Sequence, residues 1–139
     1  MRKFLAASLM LFSSLALAAP DAEMQKKFAG TWEAKYKHKV ICTIRVKADD
    51  QISGETQACT INVDGNGDLQ EPDTSQPAGE ASPMLNPRVH GDTLSFEHNE
   101  DGEVVKFEMK LVGDGQAELT ILDAPVPVKP IHFTKISKR

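Results

Sequence analysis

From Thr31 onward the chain alternates between apolar and polar positions. Trp32, Ala34 and Tyr36 share one parity and Thr31, Glu33, Lys35 and Lys37 the other, the period-two pattern of a strand with one buried face. Val40, Cys42, Ile44 and Val46 repeat the pattern against Thr43, Arg45 and Lys47. Asp49-Asp50-Gln51 interrupts it as a turn, and Ile52 to Ile61 reads as the returning strand of a hairpin. With Asp50-Gln51 as the loop, Cys42 faces Cys59, Ile44 faces Gln57 and Val46 faces Glu55. Val63 to Asp68 is a turn by composition. Pro72 to Pro87 is rich in proline, serine, glycine and acids, has no usable period, and reads as one long loop.

Alternation then resumes. Leu94, Phe96 and His98 point one way against Thr93, Ser95 and Glu97, and Asn99 to Gly102 turns the chain. Val105, Phe107, Met109 and Leu111 against Lys106, Glu108 and Lys110 is the cleanest run. Gly113-Asp114-Gly115 turns it again. Ala117, Leu119 and Ile121 form the next inner face, and after Pro125 to Pro130 the last begins with Ile131 and Phe133. His38 follows Tyr36 inward unless the chain turns at Lys37. Upstream, Asp21 is placed to cap one or two helical turns in which Met24 and Phe28 share a face. The expectation is an all-β fold: a single antiparallel up-and-down β-barrel of about eight short strands with a short N-terminal helical turn.

The residues before that turn change the setting. Met1-Arg2-Lys3 is a positive start, Phe4 to Leu17 is apolar or small, and Ala16-Leu17-Ala18 fits a cleavage site. Residues 1–18 therefore read as a secretory signal peptide and 19–139 as one barrel domain. The apolar run is short for a membrane span and no lipid-bearing cysteine stands at Ala19, so no membrane anchor is expected and the product is extracytoplasmic, periplasmic or secreted. Of the 16 basic residues two lie in the leader, leaving 14 against 20 acidic ones, a net charge of −6. That balance argues against a nucleic-acid partner, whose phosphates call for basic patches.

In an oxidising compartment the chain's 2 cysteines read as one structural disulfide, Cys42 to Cys59, and the C-x-x-C spacing of a redox centre is absent. Asp64-x-Asn66-x-Asp68 starts like a calcium loop, but Leu69 stands where glycine is required and Ser75 where glutamate is, so an ordinary Asx turn is expected. His38, His90, His98 and His132 show no paired ligand spacing. No metal and no cofactor are expected, and without a Gly-x-Ser-x-Gly elbow or a free cysteine the chain does not read as an enzyme.

Phe28-Ala29-Gly30-Thr31-Trp32, between a helical turn and the first strand, resembles the F-x-G-x-W start of lipocalins, fatty-acid-binding proteins and their smaller bacterial relatives. The resemblance implies that the glycine turns the chain, that Trp32 plugs the barrel base, and that a basic residue of the last strand, here Lys135 in place of the usual arginine, lies over the indole. The segments Gly91 to Phe96, Asp101 to Phe107 and Gly113 to Gly115 are similar to secreted bacterial lipocalin-like domains. The inward set Trp32, Tyr36, Phe96, His98, Phe107, Met109 and Phe133 is first a core and then the candidate lining of a ligand site. A barrel of this size has room for little more than its own side chains or one small ligand. The expected function is binding of a small hydrophobic or amphiphilic molecule. The short N-terminal arm, the early Gly30-Thr31-Trp32 and the single disulfide also resemble small periplasmic barrels that inhibit secreted metalloproteases, and this alternative places contact with a secreted hydrolase on the arm Ala19 to Lys27 or the loop Pro72 to Pro87.

Overall fold

The computed structural model describes residues 22–72, 81–100 and 102–136. A short helix, α1, spans 22–28. Nine strands follow: β1 Gly30–Tyr36, β2 Lys39–Ala48, β3 Ile52–Gln57, β4 Ser82–Pro83, β5 Leu85–His90, β6 Thr93–Glu100, β7 Glu103–Gly113, β8 Gln116–Leu122 and β9 Ile131–Lys135. All neighbours pair antiparallel in one sheet of order β4-β3-β2-β1-β9-β8-β7-β6-β5. β4 pairs with β3 and β5 with β6, and only Met84 separates β4 from β5. The segment 82–90 thus bridges the two ends of the sheet and nearly closes it into an up-and-down barrel. The leader 1–18, the cap residue Asp21 and the start of the arm lie outside the described residues.

Alternation places the core. Trp32, Ala34, Ile44, Val46, Leu94, Phe96, Met109, Ala117, Leu119, Ile131 and Phe133 are all buried, each at the parity expected of an inner face. α1 adds Phe28, fully buried, and Met24, packed on the same cluster. The shared face expected of these two residues is what docks the helix. Among the described residues no helix is long and apolar enough to cross a membrane.

Three local expectations need correction. Val40 is exposed and Ile41 is buried, because the β1–β2 register shifts between Ala34 and Lys35. Ala34 pairs with Cys42 and Lys35 with Val40, so the inserted Ile41 takes the inward place that simple alternation assigns to Val40. The β2–β3 hairpin is also offset from the expected register. Ile44 faces Thr56 and Val46 faces Gly54, the turn taking in Asp49 as well as Asp50 and Gln51. Small Gly54 and buried Thr56 at those places spare the core the glutamate and glutamine that the other register would have put opposite its valine and isoleucine. Finally, strand structure begins within the supposed Pro72 to Pro87 loop, at Ser82. The part of that loop over residues 73–80 lies outside the described residues.

The cysteines are nevertheless joined, Cys42 to Cys59. After Gln57 ends β3, Ala58 adopts φ 49° and Thr60 N–H donates to Ile41 C=O at 2.7 Å. The extra residue moves the pairing back by one position, which brings Cys59 opposite Cys42. Lys37 and His38, both at positive φ, form the two-residue turn between β1 and β2, and His38 is exposed there.

Candidate functional site

The two ends of the barrel differ. At one end lie Gly30 and the turns after β2, β5 and β7, and here α1 closes the base. Trp32 Nε1 donates to Phe28 C=O at 2.8 Å, so the fully buried indole satisfies both its own polar atom and a helix-end carbonyl. Lys135 Nζ lies 5.1 Å from the indole centroid and donates to Lys27 C=O at 2.7 Å. Partial burial lowers the pKa of this ammonium, with Asp114 acting in the opposite sense. The last-strand cation expected over Trp32 is therefore in place, and it ties α1 to β9.

The other end carries the β1–β2 turn, the β6–β7 turn and the segment before β9. Two irregular segments lean over it. Ile61 and Leu69 from 60–71, and Val128 from 123–130, pack against the core. Asp64 Oδ1 accepts from Asn66 N–H at 2.8 Å and Asp68 N–H at 3.0 Å, so Asp64, Asn66 and Asp68 form the expected Asx turn. Asp68 pairs with Lys129 at 2.8 Å and raises its pKa. Lys129 N–H also donates to Gly67 C=O. Gly67, at φ 86°, leaves no room for a side chain, since a Cβ there would stand 2.7 Å from Pro127 C=O. Gly67→Ala is expected to destabilise by about 1–3 kcal/mol through strain and separation of the two segments, measurable by urea unfolding.

All seven candidate site residues lie on the inner side, but they divide by depth. Trp32, Phe96, Met109 and Phe133 are buried core residues. Tyr36, His98 and Phe107 are half-buried toward the end opposite Trp32. Phe96 and Phe107 sit directly opposite each other on β6 and β7 and stack at 5.2 Å between centroids. The His98 ring lies 6.4 Å from that of Phe107, tilted by 59°. Its Nε2 is shut off from solvent and has no hydrogen-bond partner among the described residues. A buried polar atom left in that state costs free energy unless something completes it. Parity pointed His98 inward; its unpaired nitrogen is a property of packing that the sequence carries no sign of.

Alternation also gives no hint of a cleft of about 970 Å³ at the Trp32 end, bounded by Gly30, the stretch Arg45–Asp49, Asp114, Gly115 and Ile136. A smaller groove lies on the outer wall, where Asn86 Nδ2 donates to Glu97 Oε1 at 3.1 Å beside Arg88 and Lys106. No group of three or more metal-binding side chains occurs among the described residues. The chain matches no protein family, no curated protein and no solved structure with which it was compared.

Proposed function

We propose that this chain is a secreted, lipocalin-like, non-enzymatic binding protein that takes a small amphiphile at the barrel mouth. One observation carries the reading: the buried, unpaired Nε2 of His98 beside the Phe96–Phe107 stack. An apolar floor with one oriented polar atom is the usual chemistry of a site that grips a hydrocarbon part and fixes a head group. The acyl or aromatic part would rest on Phe107 with Tyr36 at the rim, while a hydroxyl or carboxylic acid would complete His98. The disulfide and the expected leader support a location outside the cytoplasm.

The alternative, inhibition of a secreted hydrolase through Ala19 to Lys27, has less support. Residues 22–28 are helical and held down by Met24 and Phe28, whereas strand addition in a cleft calls for an extended arm.

A displacement titration tests the reading. The mature protein is titrated with an apolar fluorescent probe and then with medium-chain alcohols competing for it. His98→Leu should weaken the alcohols by roughly 3–10-fold, the scale of one hydrogen bond, while leaving the probe nearly unaffected. Absence of probe binding, or equal loss for probe and alcohols, counts against the mouth site.

A further inference from the structure

The cleft at the Trp32 end runs beside the last residues of β2. β2 continues to Ala48, where it still pairs with β3 through Lys47–Ser53 and Ala48–Ile52. Its pairing with β1 stops at Gly30–Val46. Gly30, at φ 134°, turns the incoming chain out of the sheet, and a Cβ there would sit 3.2 Å from Lys135 Cδ. On that side the main-chain groups of Ala48 thus have no ladder partner among the described residues, and the far lip is formed by Asp114, Gly115 and Ile136. An unpaired strand edge beside open space is a template for another strand.

The register specifies what would fit. A strand continuing the line of β1 upstream runs antiparallel to β2, so its successive residues from the N-terminus stand beside Asp49, Ala48 and Lys47. The residue beside Ala48 takes inward parity, over the floor that includes buried Val46. The residue beside Lys47 takes outward parity with exposed Arg45 as a diagonal neighbour, and so favours an acid. The residue beside Asp49, with Asp114 on the opposite lip, favours a base. We propose that this notch accepts an extended peptide segment of a partner protein, added as a strand along β2 with a basic, an apolar and an acidic residue in that order from its N-terminus. The surface is separate from the mouth, so partner docking and ligand binding are independent properties of the barrel.

The test uses ¹⁵N-labelled mature protein and two capped pentapeptides, acetyl-Thr-Lys-Val-Glu-Thr-amide and its charge-reversed form acetyl-Thr-Glu-Val-Lys-Thr-amide. The first should shift amide signals over Arg45–Asp49, Asp114, Gly115 and Ile136 and slow hydrogen exchange at Ala48. The second should bind about tenfold more weakly, the sum of two cross-strand charge pairs. In the double variant Lys47→Glu, Asp49→Lys the preference should invert. A version of the first peptide with N-methylated backbone amides should lose binding, because main-chain hydrogen bonds carry strand addition. No shifts at these amides with millimolar peptide, equal binding of both peptides, or unchanged binding on N-methylation would each overturn the proposal. The apolar-probe titration at the mouth is unaffected by any of these outcomes.

Discussion

Trp32→Ala is expected to destabilise the protein by about 3–5 kcal/mol, the range for truncating a buried aromatic. The indole is fully buried where α1, β1 and β9 meet, so its loss empties the base of the barrel. It also leaves Phe28 C=O without its donor and Lys135 without the ring beneath it. For a domain of this size the midpoint of thermal unfolding should fall by on the order of 10 °C or more. Trp32→Phe separates the contributions: it keeps most of the apolar volume, removes the 2.8 Å hydrogen bond, and should cost about 1–3 kcal/mol. Calorimetry or urea unfolding of both variants checks the order. A loss below about 1 kcal/mol for Trp32→Ala, the scale of a surface change, is incompatible with a barrel plugged by this residue.

The parts of the fold legible in the sequence are those where one face is buried and the ladder is regular. β7 is the clearest case: Val105, Phe107, Met109 and Leu111 sit on the inner side as alternation requires, and its pairings with β6 and β8 run on from that parity. Legibility fails where a single inserted residue changes the count. At Ile41 the insertion turns Val40 outward, and at Ala58 it restores the register that the longer β2–β3 turn had shifted. Both insertions satisfy the core by exchanging which residues face it, and a period-two pattern contains no record of such an exchange. Ser82–Pro83 was illegible for a different reason. Its composition is that of a loop, and it is a strand only because Glu55 and Thr56 of β3 provide a ladder. Proline is tolerated in so short a strand at the margin of a sheet.

The candidate sites divide in the same way. Inward parity brought the seven candidate residues to one interior, but depth decides which of them a ligand can reach, and depth comes from how both ends are covered. Phe28 and Trp32 fill one end; Ile61, Leu69 and Val128 cover the other only in part, leaving Tyr36, His98 and Phe107 half-buried. Lys135 could be anticipated because the cation partner of an early tryptophan recurs in barrels that begin in this way. The notch beside β2 could not, because it depends on where β1 stops relative to β2, and that is set by the backbone angle at Gly30.

Replacing both cysteines, Cys42→Ala with Cys59→Ala, is expected to cost about 3 kcal/mol. A cross-link over a separation of 17 residues removes that much free energy from the unfolded state's advantage when the folded geometry accepts it. The two alanines keep Cys42's buried place apolar, so the change reports mainly on the tether and little on packing. If the effect acts through the unfolded chain, the urea m-value should rise, because an untethered chain exposes more surface on unfolding. The bond also roots the segment that leans over the mouth, since Ala58 and Cys59 lead directly into Thr60 and Ile61. Hydrogen exchange at Asp64, Gly67 and Gln70, whose amides are bonded within and beside that segment, should therefore quicken more than exchange in β7. A cost below about 1 kcal/mol with unchanged m-value, or two reactive thiols per chain in unreduced, unfolded wild-type protein, would show that the cross-link does not hold this end of the barrel.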